Sequence, residues 1–274
     1  MEQQRLMELK QRARQIRRDV IDMTLHAGSE GGHLGGSLSL TEILTVLYFD
    51  IMQLIPSDPL AVTRDRLILS KGHGAMTMYA ALAQLGYFSR EELMTYKKDH
   101  SLVSAHPTHT PERGMEFASG SLGQGLALGV GTCIGLRLKK NDARVYVVMG
   151  DGEIDEGSVW EAAAAAAHYG LNRLTAIIDA NQLQYDGPTN DVFSMGDLVA
   201  KWQAFGWEAE RVDGHDLAAL SNALHGVHER PFCLICDTVK GKGVSFAENN
   251  YRWHNAVMTC EQHKQALEEL EDKP

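Results

Sequence analysis

Short apolar runs, VYVVM at 145–149, LTAII at 174–178 and FCLIC at 232–236, alternate along the chain with segments whose apolar residues recur every three or four positions. Runs of that length predict buried strands, and the longer periodic segments predict helices. Two more strands are predicted at 65–70 and 208–212. The first helix is predicted over 3–27, with Leu6, Leu9, Ala13, Ile16 and Val20 on one stripe. Arg5, Lys10, Arg12, Arg14, Arg17 and Arg18 fill the rest, which reads as a solvated basic face. Further helices are expected through Leu40, Ile43, Leu44, Leu47 and Tyr48, and over 76–85. Others are expected from the 119–125 segment to 138, through the alanine run 162–167, over 198–205, over 217–228 with Asp216 as cap, and in the polar segment 258–274. Residues 88–105 read as helical, then irregular. Strand–helix–strand crossovers are right-handed, so successive strands lie parallel. The expected fold is α/β: one domain across 1–274, with about five mostly parallel strands and helices on both faces.

Where the apolar runs end, the polar residues are unusual. Gly150-Asp151-Gly152 closes one run, and Asn181 follows the next. In adjacent parallel strands these residues lie side by side at one sheet edge, beside a helix start. A carboxylate, an amide oxygen and nearby backbone carbonyls are hard ligands, suited to a Mg²⁺ or Ca²⁺ that also holds a diphosphate. The glycines let backbone approach phosphate, and the helix start offers unpaired N–H groups. The acidic turn 153–157 reads as a solvated loop favouring the following helix. His33 stands among four glycines in GGHLGGS, where there is little to pack against, so it is expected to face a ligand. Lys71-Gly72-His73-Gly74 sits at the carboxyl end of the 65–70 strand, where open α/β sheets bind ligands. His106-Pro107-Thr108-His109 precedes SGSLGQG at 119–125. Gly125, Ala127 and Gly129 predict close helix packing but no dinucleotide fingerprint, because no strand immediately precedes them.

Composition narrows the classes. With 274 residues and 44% hydrophobic content the chain can bury a large core. A formal charge of −10 argues against a general nucleic-acid or anionic-membrane surface. No apolar run approaches the roughly 18–20 residues needed to span a bilayer, and the N-terminus lacks a signal-peptide core. Cys233 and Cys236 have CxxC spacing but fall mid-strand, so they are expected to be buried strand residues. A cytoplasmic protein is expected, with no internal repeat.

Together these pieces resemble the N-terminal, thiamine diphosphate-binding part of transketolase. GGHLGGSLS, DRLILSKGHGAM, HPTHTPERGMEFASGSLGQGLALGVG, the GDG…N segment through QYDG, and KGKGVSFAENNYRWHNAV match that family's motifs in order from about residue 20 to 257. The resemblance implies a thiamine diphosphate-binding fold. It implies Asp151 and Asn181 as side-chain ligands of Mg²⁺ (Ca²⁺ or Mn²⁺ can substitute) and the carbonyl of Leu183 as third ligand. Gly152 would lie against the diphosphate, His73 and Gly120 would help hold the cofactor, and Leu122 would pack beside the aminopyrimidine. His33, His106 and His254 would be catalytic, surrounding thiazolium and sugar with His73. Proton transfer on sugar hydroxyls suits imidazoles that titrate near neutral pH. His215, in Asp-Gly-His-Asp, is expected to be structural.

Two departures carry expectations. Leu34 replaces the proline usual in the glycine–histidine motif. A complete transketolase is more than twice this length and includes a pyrimidine-binding domain carrying an activating glutamate. The resemblance therefore implies the N-terminal subunit of a split transketolase, in an α₂β₂ assembly with a C-terminal subunit, acting on sugar phosphates. Pentulose phosphates and branched or sulfonated ketoses stay open. Competing readings are an E1α or deoxyxylulose-phosphate-synthase-like subunit, a non-catalytic thiamine diphosphate-binding module, and a metal phosphohydrolase using Asp151, Glu153, Asp155 and Glu156.

Overall fold

The protein is described over residues 1–271 by a computed structural model. The chain opens with α1 (Gln3–His26), α2 (Leu34–Leu38) and α3 (Thr41–Val46), which runs on into a π-helical turn over Leu47–Ile51. Then come β1 (Arg66–Leu69), α4 (Ala75–Gln84), α5 (Arg90–Leu93) and α6 (Gly125–Leu138). The unit β2 (Val145–Gly150), α7 (Gly157–His168), β3 (Leu174–Ala180) follows, then α8 (Thr189–Val192) and α9 (Leu198–Ala204). Last are β4 (Glu208–Asp213), α10 (Leu217–Leu224), β5 (Phe232–Asp237) and α11 (Cys260–Glu271). The five strands form one parallel sheet in the order β1-β2-β3-β5-β4.

Alternation along the strands divides the core in two. Leu67, Leu69, Tyr146, Val148, Ile177, Leu234 and Cys236 face the layer of α1, α3, α4 and α10. Ile68, Val145, Val147, Met149, Ala176, Ile178, Cys233 and Ile235 face α6, α7 and α9. Apolar residues on both faces of the inner strands are what a sheet covered by helices requires. Cys233 and Cys236 are fully buried in β5, as expected.

Several expectations need correction. The helix expected through Leu40, Ile43, Leu44, Leu47 and Tyr48 is present as α3 and its π-helical continuation, but α10 stops at Leu224, because Gly226 follows within two residues. Arg17 is not on a solvated face: it is buried and paired with Glu42. Gly125 and Gly129 do pack closely, since a Cβ would lie 2.3 Å from the Ser70 side chain and 2.6 Å from Val147 Cγ2 respectively. Ala127 is exposed and takes no part. The part of the predicted 258–274 segment beyond Glu271 lies outside the described residues.

Candidate active site

All the polar strand endings lie at one edge of the sheet. β1 leads into Ser70-Lys71, β2 into Asp151, β3 into Asn181 and β5 into Thr238 and Lys240. At the centre Lys71 Nζ donates to Asp179 Oδ2, with side-chain exposures of 1% and 0%. Asp179 also accepts from Ser39 Oγ at 2.6 Å, from Thr238 Oγ1, and from Asn181 Nδ2 at 3.2 Å. Burial opposes the charge on Asp179, yet Lys71 and the hydroxyl donors hold its carboxyl below the usual range. The bond from Nδ2 fixes the Asn181 amide, whose oxygen accepts from Leu183 N at 3.2 Å.

Asp151 accepts from Gln182 N at 2.6 Å, Gly152 N at 2.9 Å and Thr189 Oγ1 at 3.2 Å. Burial, then the charge of Asp179, pushes its carboxyl up. A buried carboxylate beside another is a site that a cation relieves. The carbonyl of Leu183 accepts from Lys240 Nζ at 2.7 Å. So the three expected metal ligands are neighbours, with an ammonium on one of them. Among the described residues no group of three or more His, Cys, Asp or Glu side chains could hold a metal.

Lys240 ties this group to the histidines, since its Nζ is also 3.0 Å from His254 Nδ1. An ammonium can only donate, so Nδ1 accepts and the His254 proton sits on Nε2. The His33 ring lies 5.9 Å from His73, 5.6 Å from His106 and 5.7 Å from His254, centroid to centroid, with His73 to His254 at 5.1 Å. Glycines make room for the rings. A Cβ on Gly36 would lie 3.0 Å from His73, and one on Gly120, whose φ is +127°, would lie 3.2 Å from His106. Leu122 is exposed on the loop beyond Gly120. A Cβ on Gly152 would meet the Gln184 side chain at 2.8 Å.

The expectation that these imidazoles titrate near neutral pH is not met. Burial, then the charge of Lys97, pulls His33 down to about 4. Burial and Lys240 pull His254 down to about 3. His73 is driven down by burial and Lys71, and His106 by burial and Lys97. Near pH 7 all four are therefore neutral, each with one donor and one acceptor nitrogen. His33 Nδ1 is buried without a partner, the kind of atom a ligand completes.

Glu153 departs from the expected solvated loop, for it is buried. It accepts from Ser70 Oγ, Gly123 N at 2.9 Å and Gly150 N at 3.1 Å, joining three separate chain segments behind the site. His215 is structural, as expected: its Nδ1 is 2.8 Å from Glu42 Oε2, and its Nε2 accepts from Val239 N at 2.8 Å.

Residues 9–274 match the family model described as transketolase, thiamine diphosphate binding domain. The chain belongs to the transketolase family. It is 41% identical over 249 residues to an apulose-4-phosphate transketolase subunit from Phocaeicola vulgatus, covering 89% of this chain and 88% of that protein. It is 40% identical over 243 residues to the 6-deoxy-6-sulfo-D-fructose transketolase subunit SqwG from a Clostridium species, covering 88% of each. Human transketolase is 37% identical over 271 residues, but those are 98% of this chain and only 43% of the human one. The crystal structure of Campylobacter jejuni transketolase superposes with a TM-score of 0.87 at 28% identity, covering 99% of this chain and 43% of that chain. The chain thus spans about two fifths of the solved transketolases it matches.

Sequence reasoning gave Asp179 and Lys240 no part in the site, named Lys71 only within a ligand-side segment, and read Glu153 as solvated. One signal was available: Asp179 is a carboxylate at the end of an otherwise apolar central strand, a position that requires a buried partner.

Proposed function

We propose that this chain is the thiamine diphosphate-binding subunit of a two-chain transketolase, moving a two-carbon ketol unit between a ketose and an aldose, in most cases as phosphates. Asp151, Asn181 and the Leu183 carbonyl would hold Mg²⁺, Gly152 would face the diphosphate, and His73, Gly120 and Leu122 would line the rest of the cofactor. When bound, the cofactor supplies the carbon nucleophile and electron sink for carbon–carbon cleavage. The chain's own part is to orient the sugar and move protons. His33, His106 and His254, neutral and facing one another, present both donor and acceptor nitrogens to sugar hydroxyls. Lys240, at about pKa 8, donates to His254 Nδ1, which leaves Nε2–H as the donating end.

The observation that carries this reading is the joining of the four-histidine cluster to the Asp151, Asn181 and Leu183 group through Lys240. The relatives are named as subunits, which favours a partner chain carrying the pyrimidine-activating glutamate, in an α₂β₂ assembly. The substrates in their names place branched or sulfonated ketoses among the donors to test. The four cysteines form no disulfide, in keeping with a cytoplasmic setting. The phosphohydrolase alternative loses ground because Glu153 is buried and bonded on three sides.

The test is to co-purify the chain with the C-terminal transketolase subunit from its own cells. Ketol transfer from a panel of ketose donors is then measured with and without thiamine diphosphate and Mg²⁺. Activity that requires both chains and both additions is expected. Full activity in the lone chain would overturn the two-chain reading, and cofactor binding with no transfer by the complex would favour a non-catalytic module.

A further inference from the structure

Away from the histidines, a cavity of about 600 Å³ opens between α1, the start of α10 and the end of α11. That is the size range of sites for small organic ligands. Its walls are of two kinds. Met7, Leu217 and Leu270 make an apolar side, while Lys10, Arg14, Arg17 and Lys242 bring four cations. The side chains of Lys10, Arg14 and Lys242 make no ion pair or hydrogen bond among the described residues, although the chain as a whole carries a formal charge of −10. Arg17 is built in rather than draped over the surface. It is more than nine-tenths buried, its Nε donates to the Lys242 carbonyl at 3.2 Å, and its Nη2 is 2.6 Å from Glu42 Oε1. Glu42 is the one carboxylate lining the cavity, so the cations exceed it by three.

Three cations without a carboxylate partner, set around one hollow of an acidic protein, give that hollow a local positive potential that favours an anion. A bare inorganic ion would leave the apolar wall unused. We propose that this cavity binds a small amphipathic organic anion, an apolar body ending in a carboxylate, sulfonate or phosphate. The charged end meets Arg14, Arg17 and Lys242, and the apolar body lies along Met7 and Leu217. The site is wired to the sheet edge: Glu42 is shared between Arg17 and His215, and His215 Nε2 accepts from Val239 N, one residue before Lys240. An anion on Arg17 competes with Glu42 at the first link of that strut.

The proposal does not depend on the transketolase reading, because its test is binding alone. 8-Anilinonaphthalene-1-sulfonate serves as the amphipathic probe and inorganic pyrophosphate as the apolar-free control. Both are titrated calorimetrically into the folded wild-type protein and into each variant of the cavity. One site is expected for the sulfonate, weakened about tenfold, or about 1.4 kcal/mol, in Arg14→Glu and in Lys242→Glu. Met7→Asp is expected to weaken it similarly. Met7 and Arg14 are exposed, so circular dichroism and the melting temperature should not move. Unchanged affinity in all three variants would overturn the site. Pyrophosphate binding as tightly as the sulfonate, and displacing it, would overturn the amphipathic assignment.

Discussion

Lys71→Met is the most informative single perturbation. The methionine keeps most of the volume but leaves the Asp179 carboxylate, with no exposed side-chain surface, without its cation. Breaking a buried pair by removing one member costs about 3–5 kcal/mol. Here Ser39, Thr238 and Asn181 still donate to Asp179, so the loss belongs at the lower end, about 3 kcal/mol. At about 2–4 °C per kcal/mol for a chain of this size, the melting temperature should fall by roughly 6–12 °C. The assay is thermal and urea unfolding of cofactor-free protein, with Lys71→Met/Asp179→Asn as companion. Removing the charge while keeping an amide oxygen for Ser39, with the amide nitrogen donating to the Thr238 hydroxyl in place of the second carboxylate oxygen, should restore most of the loss. A single variant that melts within about 2 °C of the wild type, or a double variant no better than the single, would refute the claim that Lys71 compensates Asp179.

Other consequences can be measured directly. Glu153→Gln places an amide among three donors and should cost about 1–3 kcal/mol in urea unfolding, without altering the helical circular dichroism. Asp151→Ala should weaken thiamine diphosphate–Mg²⁺ binding at least about tenfold by calorimetry, because it removes the carboxylate among the proposed ligands. His33→Ala and His254→Ala should each lower ketol transfer by the co-purified enzyme by about 10²-fold or more, with cofactor binding altered much less. For pH, His33 and His254 are held below their unfolded value of 6.5, so between that value and about 4 and 3 the unfolded chain binds more protons. Their contribution makes stability fall as pH falls through that window. Unfolding free energy measured from pH 7 to 4 should therefore slope less steeply in His33→Asn than in the wild type.

The fold was legible because the strands announce themselves. Buried parallel strands must be apolar on both faces, and 145–149, 174–178 and 232–236 could be little else. The histidines were legible for the opposite reason, since His33 among glycines has no packing role. Glu153 was not, because an acidic residue in a turn is usually solvated, and only the fold brings Ser70 and Gly123 to it. Arg17 failed likewise, its partner Glu42 being 25 residues away on another helix. The neutral state of the histidines depends first on their burial and then on Lys97 and Lys240, none of which local spacing reveals.

The strand order β1-β2-β3-β5-β4 has a consequence for how the chain is made. β4 leaves the ribosome before β5, yet among the described residues β5 is its only neighbour in the sheet. Until residue 237 has been synthesised, β4 has no ladder to join, and the open edge of β3 waits for a strand not yet made. Nascent chains with unpaired edges are prone to wrong pairing. β4 tolerates the interval because it carries Glu208, Glu210, Arg211 and Asp213 and is only partly covered even when folded. Its charges keep it in water until its partner arrives.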